Sequence, residues 1–236
     1  LDYVFATTQD LAYQLINLGY DKTKIFHLPN MIDLNSVKTT TDNPETKFRD
    51  PPVIGTIGRF VKKKGFDIFI NTLSILKDEG IEFKVIIAGD GEEKTKLEEL
   101  TTNLKLKELI SFPGWIKDKK KFFSSIDIFC LPSIHEPFGI VLLEALLYNK
   151  PIVSFKSEGP SEIGTDNQNM LFAKLGDARD LAEKIKLLIN NQQLSSKLAK
   201  AGKSLIKEQY SLDVIQKLLD KYIKQIYQNI TLNVDN

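Results

Sequence analysis

The feature that most constrains the fold of this chain is a regular alternation of short apolar runs with amphipathic stretches from residue 53 onward. The runs have strand length and are continuously apolar, as in Val85–Ala88. Such strands are typical of a sheet that is covered on both faces. Alternation of strands with helices favours right-handed βαβ units. We therefore predict an α/β fold, a doubly wound parallel sheet followed by C-terminal helices.

The predicted elements follow from these patterns. The strands of the main sheet are Val53–Ile57, Phe83–Ala88, Ile110–Phe112, Ile128–Leu131 and Ile152–Phe155. The helices between them are Gly65–Lys77, Glu92–Leu104, Asp118–Ser125 and Ile140–Leu147, and the C-terminal helices are Ala178–Ile189, Gln193–Lys207 and Leu212–Gln228. Upstream of the sheet we predict strand Tyr3–Thr7, helix Asp10–Leu18, strand Lys24–Leu28 and a polar linker or surface loop, Lys38–Pro52.

Composition excludes several functional classes. A net charge of +1 gives no global field that would attract nucleic acid. The single cysteine, Cys130, excludes a disulfide framework and fits a reducing compartment; its apolar run predicts a buried strand residue. No apolar run approaches the roughly 20 residues that span a bilayer, and Leu1–Phe5 has no signal-peptide pattern. The first residue is not Met, so we expect a fragment of a longer chain.

Ligands of a doubly wound sheet bind at the carboxyl ends of its strands, so the loops there are the candidate site. The first loop, residues 55–67, carries three glycines, Arg59 and the cluster Lys62–Lys64, but neither a P-loop nor the G-x-G-x-x-G fingerprint. It either binds phosphate or forms a solvated basic turn.

The second loop, Gly89–Glu93, is typical of a helix start, and we predict no metal there. In the third loop Trp115, the only tryptophan, either anchors the core or lines a pocket for a flat base.

The loop after the fourth strand is the most informative. Gly139 directly precedes a predicted helix, so the N–H groups of Gly139, Ile140 and Val141 form an anion site with the positive end of the helix dipole. Glu136 precedes this helix and Glu144 lies one turn into it. Two carboxylates therefore flank one anion-binding turn. They are either acceptors for sugar hydroxyls, or one caps the helix and the other is incidental.

Three other polar residues have weaker interpretations. His135 has no Asp or Ser spaced to form a catalytic triad with it, and His27 fits a structural role in its strand. Glu162, after the turn Gly159-Pro160, is either a further sugar or ribose contact or a helix cap.

Taken together, these segments resemble the retaining glycosyltransferases of the GT-B fold, family four, in order and spacing over nearly the whole chain. The motifs that carry the resemblance are Gly58-Arg59 with Lys64-Gly65, Ala88-Gly89-Asp90-Gly91, Pro132-Ser133, Glu136-Pro137-Phe138-Gly139 running to Glu144-Ala145, Gly159 with Glu162, and Leu28-Pro29-Asn30-Met31-Ile32-Asp33.

The resemblance implies a role for each matching residue. Gly58, Arg59 and Lys64 would bind the donor, with Arg59 and Lys64 contacting its diphosphate. Arg59, Lys64 and Glu136 would be the catalytic residues. Glu136, with the backbone around Phe138 to Ile140, would face the transferred sugar, and the helix N-terminus at Gly139, Ile140 and Val141 would stabilise the charge of the leaving diphosphate. Glu144 would bind the ribose, while Trp115 and Ile116 would line the base.

The resemblance also implies the wider organisation. Residues 1–34 would be a remnant of the N-terminal acceptor domain with the junction, and residues 35–236 the nucleotide-sugar-binding domain; the missing N-terminal domain is an expected partner. The donor would be a UDP-, GDP- or ADP-sugar, the acceptor a cell-envelope glycan or lipid-linked sugar, and no metal or other cofactor is expected. The expected location is cytoplasmic, at the inner face of the membrane, with the 236-residue chain inactive by itself.

Two other classes of function remain as alternatives. One is a nucleotide-sugar-binding or regulatory module without turnover of its own. The other is a flavodoxin-like or dinucleotide-binding domain, against which the missing G-x-G-x-x-G argues.

Overall fold

A computed structural model describes residues 2–36 and 47–234 of the chain. The strands are β1 Val4–Ala6, β2 Ile25–His27, β3 Val53–Ile57, β4 Lys84–Ala88, β5 Ile110–Ser111, β6 Ile128–Leu131, β7 Ile152–Phe155 and β8 Leu171–Ala173. The α-helices are α1 Gln9–Asn17, α2 Phe66–Asp78, α3 Lys94–Asn103, α4 Lys119–Ser125, α5 Ile140–Leu147, α6 Glu158–Ile163, α7 Ala178–Asn190, α8 Gln192–Leu205 and α9 Leu212–Val234. Of the predicted loop Lys38–Pro52, residues 38–46 lie outside the described residues.

The main sheet has six parallel strands in the order β5-β4-β3-β6-β7-β8. Counted along the chain, this is the doubly wound order 3-2-1-4-5-6, which reverses between β3 and β6. The predicted α/β fold is therefore confirmed. A crevice for ligands is expected outside the carboxyl ends of β3 and β6, where the loops of neighbouring strands diverge.

The core lies on both faces of this sheet, which explains the continuously apolar strands. In β6, Ile128 and Cys130 join the cluster under α2 and α7, whereas Phe129 and Leu131 join the cluster under α4 and α5. Cys130 is fully buried, as predicted, and burial raises the pKa of its thiol well above the usual range. Its thiol is therefore inert packing and no nucleophile.

Residues 2–36 form a small unit of their own, in which β1 pairs with β2 in parallel. Ring contacts and backbone hydrogen bonds join this unit to the C-terminal part of the chain. The rings of Phe5 and Phe26 lie 6.4 Å and 4.8 Å from that of Tyr222 in α9. At the start of α9, Ile32 donates a backbone hydrogen bond to Tyr210 at 2.9 Å and accepts one from Leu212 at 3.1 Å. Within the described residues, no helix is both long and apolar enough to cross a membrane.

The structure differs from the sequence-based elements in several bounds, including the longer α9, and in two elements that were not predicted. β8 and α6 were not predicted, because β8 has only three residues and α6 contains the turn-forming Gly159-Pro160. The helix expected from Gly65 begins at Phe66 instead. Gly65 has a left-handed φ of 64° and ends a preceding 3₁₀ turn, Lys62–Lys64.

Lys150 gives a pH-dependent contribution to stability. Its ammonium donates to the Ile126 carbonyl at 2.8 Å, and burial lowers the pKa of Lys150 from 10.5 to about 8 despite the opposing charge of Asp127. Between these two values the unfolded chain holds a proton that the folded chain has released, so stability rises with pH in this window. Lys150→Met lacks this contribution. In urea unfolding, the free energy of unfolding of the wild type minus that of Lys150→Met should increase by about 1–2 kcal/mol from pH 7.5 to pH 10.

The exposed Lys200→Met is the matched control for this measurement. Its difference from wild type should stay constant over the same pH range. A difference between wild type and Lys150→Met that is also constant would contradict a depressed pKa at Lys150.

Candidate functional site

The loops after β3 and β6 interlock at the point where the strand order reverses. A Cβ added to Gly65 would lie 2.0 Å from the carbonyl oxygen of Pro132, so only glycine permits this approach. The backbone N–H of Ile134 donates to the carbonyl of Lys63 at 2.9 Å. These contacts hold the end of the lysine cluster against the loop that carries Glu136.

Lys64 and Glu136 form an ion pair at the centre of this junction. Lys64 Nζ lies 2.5 Å from Glu136 Oε2, and the two side chains are only 22% and 9% exposed. Ser133 Oγ donates to the same oxygen at 3.1 Å. A buried carboxylate needs such partners to remain charged. The pair therefore keeps a cation and a carboxylate in place beside the crevice.

The backbone around Glu136 is fixed by α6. Gly159 N–H donates to the Glu136 carbonyl at 2.9 Å. A Cβ at Gly159 would lie 2.3 Å from the carbonyl oxygen of Phe138. The glycine that follows β7 thus allows α6 to pack directly on the Glu136–Phe138 backbone.

The first turn of α5 opens into the same crevice. Gly139 precedes the helix with a left-handed φ of 94° and provides no side-chain cap. The first residue, Ile140, is 51% exposed. The first N–H groups of a helix have no intrahelical acceptor, and the dipole adds positive potential at that end. This turn is therefore suited to bind an anion.

These parts line one pocket of about 410 Å³. Its cations are Arg59, Lys64 and Lys119. Lys64 is paired with Glu136, and Lys119 Nζ lies 2.8 Å from Glu144 Oε2. Arg59 forms no ion pair within residues 2–36 and 47–234. Among the described residues that line it, the pocket thus offers one cation without an ion-pair partner, Arg59, beside a helix N-terminus, which is a suitable environment for an oxyanion.

Most of the residues predicted from the sequence line this pocket. They are Gly58, Arg59, Lys64, Trp115, Ile116, Glu136, Phe138, Gly139, Ile140 and Val141. Trp115 is 68% exposed, so its alternative role as a core anchor is wrong. Lys62 and Lys63 are exposed, as in a solvated turn, and only Lys64 reaches the pocket.

Glu144 departs from the simplest expectation. Glu144 is not among the residues that line the pocket, but it forms an ion pair with Lys119, which does line it. Four further residues line the pocket and were not predicted as site residues: Asn30, Ile57, Lys119 and Pro137. For Asn30 a signal existed, because it lies in the junction motif Leu28–Asp33. For Lys119 there was none, since it is one of three consecutive lysines.

The remaining candidates serve the fold around the pocket. Glu162 Oε2 accepts the N–H of Gln9 at 2.7 Å at the start of α1, and Oε1 lies 2.6 Å from His27 Nε2 without hydrogen-bond alignment. Glu162 is the fifth residue of α6 and so does not cap the start of that helix. His135 Nδ1 lies 3.1 Å from Glu158 Oε1. Burial raises the pKa of Glu158, but hydrogen bonds from its own N–H and from His135 outweigh burial and lower it overall.

Comparison with known proteins then identifies the family. The family model of the glycosyl transferases group 1 matches residues 37–205. The chain belongs to this family. The lipopolysaccharide core biosynthesis glycosyltransferase LpsE of Rhizobium meliloti is 32% identical over 218 residues, covering 91% of this chain and 62% of the relative. A second from the same organism, LpsD, is 33% identical over 204 residues, covering 86% of this chain and 58% of the relative.

The poly(ribitol-phosphate) alpha-N-acetylglucosaminyltransferase of Staphylococcus aureus is 25% identical, covering 93% of this chain and 43% of its own. The chain thus spans between 43% and 62% of the length of these curated relatives.

Solved structures of similar fold agree with the observed sheet. HepE of Anabaena, solved in complex with UDP, superposes with a TM-score of 0.85 at 24% identity and covers 95% of this chain and 64% of its own. A glycosyltransferase from Rickettsia africae superposes with a TM-score of 0.86 at 21% identity, covering 97% of this chain and 64% of its own. At this identity the likeness shows the fold of this group 1 glycosyltransferase domain.

Proposed function

We propose that this chain is the donor-binding domain of a retaining glycosyltransferase of family four, which transfers a sugar from a UDP-sugar to a cell-envelope glycan or lipid-linked acceptor. The observation that carries the proposal is the placement of Arg59, Lys64 and the first turn of α5 on one pocket at the carboxyl ends of β3 and β6. A nucleoside diphosphate fits this combination of cations and N–H donors.

The chemistry follows from the charges. Breaking the bond between sugar and phosphate leaves negative charge on the departing nucleoside diphosphate. Arg59, Lys64 and the N–H groups of Ile140 and Val141 would stabilise that charge, and preorganised donors of this kind are effective in a pocket shielded from water. The sugar becomes oxocarbenium-like, and Glu136 would position its hydroxyls.

The names of the relatives support the substrate classes. The Rhizobium meliloti relatives act in lipopolysaccharide core biosynthesis, which favours an envelope acceptor and action at the cytoplasmic face of the membrane. HepE was solved with UDP and with UDP-glucose, which favours UDP among the nucleotides considered. The acceptor would be bound mainly by residues outside these 236, so we expect this chain alone to bind the donor without transferring its sugar.

A panel of nucleoside diphosphates tests the proposal. At 100 times Kd, UDP should stabilise the domain by about 2.7 kcal/mol, which raises the Tm by about 5–10 °C for a chain of this size. GDP and ADP at the same concentration should give smaller shifts. No shift with any of the three nucleotides would contradict a nucleoside-diphosphate site.

Trp115 should contribute to base binding. Its side chain is largely exposed at the pocket, and stacking of a base on an aromatic ring is worth about 1–3 kcal/mol. We expect Trp115→Ala to weaken UDP binding by about 5- to 150-fold, with little loss of stability. Trp115→Phe should retain most of the affinity.

Trp115 is the only tryptophan, so the wild-type titration can be followed by its own fluorescence and the variants by calorimetry. Equal affinity of wild type and Trp115→Ala would place the base elsewhere.

A further inference from the structure

The contact between Lys119 and Glu144 suggests a role for a residue that the sequence did not single out. Lys119 is the first residue of α4, and its Nζ lies 2.8 Å from Glu144 Oε2 in α5. The two side chains are 39% and 23% exposed, and Lys119 lines the pocket that also holds Arg59 and Lys64. The pair therefore lies at the pocket wall.

Packing between the two helices fixes this arrangement. The ring of Phe123 in α4 stacks on that of Tyr148 directly after α5, with centroids 4.8 Å apart and an interplanar angle of 18°. Asp118 caps α4 by accepting the N–H of Lys121 at 2.9 Å. The first turn of α4 is thereby held beside α5, which places Lys119 within reach of Glu144.

The Lys119–Glu144 pair affects the electrostatic potential at the anion-binding turn. Helical side chains lean toward the helix N-terminus, so the Glu144 carboxylate extends back toward the anion-binding turn at Ile140. An unpaired carboxylate there would repel a diphosphate. Lys119 neutralises that charge and engages one carboxylate oxygen, Oε2, through a charge-assisted hydrogen bond.

We propose that Lys119 is a positioning residue for Glu144: it holds one carboxylate oxygen so that the other accepts hydrogen bonds from the ribose hydroxyls of the nucleotide, and it thereby determines the preference for ribonucleotides over 2′-deoxyribonucleotides. This inference rests on the proposed function, because it takes the ligand to be a nucleoside diphosphate. Lys119 acts through Glu144 and does not itself contact the ribose.

The test compares the affinities of UDP and 2′-deoxy-UDP by calorimetry. Wild type should prefer UDP. In Lys119→Met, which keeps the length of the side chain and removes its charge, this preference should fall by about 3- to 10-fold, the range expected for the net contribution of one ordinary hydrogen bond. Lys119→Arg should restore the preference to within about twofold, because a guanidinium can make the same bond. The exposed neighbour Lys120→Met is the matched control and should leave the preference unchanged.

Other outcomes distinguish failure of this inference from failure of the proposed function. Weaker UDP binding by Lys119→Met with an unchanged preference would mean that Lys119 acts on the diphosphate, by direct contact or by neutralising Glu144, and not on the ribose, which overturns the inference. A lower Tm with an unchanged preference would mean a purely structural pair and would also overturn it, as would a wild type that does not distinguish the two nucleotides. Failure of wild type to bind UDP, GDP or ADP would overturn the proposed function and this inference together.

Discussion

Lys64→Ala is expected to weaken UDP binding by about 100-fold, through two effects of similar sign. The variant loses a cation beside the diphosphate, a contact worth roughly 2–3 kcal/mol after screening and desolvation. It also leaves the Glu136 carboxylate unpaired next to the bound phosphates, because in the wild type Lys64 Nζ lies 2.5 Å from Glu136 Oε2. The same loss of a partner should lower the free energy of unfolding by about 1–3 kcal/mol.

The neighbouring lysines provide matched controls. Lys62 is paired with Asp67 on the surface, and Lys63 is exposed. Lys62→Ala and Lys63→Ala should each cost well under about 1 kcal/mol of UDP binding, as exposed charges do. Three equal, small and salt-sensitive losses would mean a diffuse basic surface and would contradict a specific role for Lys64. The double variant Lys64→Ala with Glu136→Gln should recover part of the loss, because it removes the repelling carboxylate.

Glu136→Gln is expected to separate nucleotide binding from sugar transfer. The substituted amide keeps the size of the side chain and its bond from Ser133 but no longer holds Lys64 by charge. Lys64 is then free for the diphosphate, so UDP should bind as tightly as in wild type or up to about tenfold more tightly. Transfer by the full-length protein should fall by about 10²–10³-fold, the range seen when one preorganised polar group at a reacting centre is removed.

Glu158→Gln is the control for this variant, because Glu158 contacts His135 and does not line the pocket. Its transfer rate should stay within about threefold of wild type, since an exposed pair contributes little. A Glu136→Gln protein that transfers sugar at the wild-type rate would contradict the role of Glu136. So would one that loses UDP binding as Lys64→Ala does.

The elements that position the site could be predicted from local patterns. β3, β6, β7 and α5 have the predicted bounds, because continuous apolar runs and the Gly139 helix start are strong local signals. β8 could not be predicted, since three apolar residues form a strand only when β7 provides the pairing edge. The strand order likewise depends on tertiary packing.

The two ion pairs at the pocket could not be predicted from sequence patterns. Lys64 and Glu136 are 72 residues apart, and Lys119 and Glu144 are 25 apart. Each of the two lysines sits among other lysines, and only the packing of loops and helices decides which lysine meets which carboxylate. Glu144 was therefore expected to face the ligand directly, whereas the structure places Lys119 against it at the pocket wall.

A crystal structure of the domain with UDP tests the central claim most directly. We predict the diphosphate in the pocket between β3 and β6, with its oxygens within hydrogen-bond distance of Arg59, of Lys64 and of the N–H groups of Ile140 and Val141. Uracil should lie against Trp115. Ordered UDP bound away from the carboxyl ends of β3 and β6, or with its phosphates turned away from Arg59 and the first turn of α5, would contradict the account.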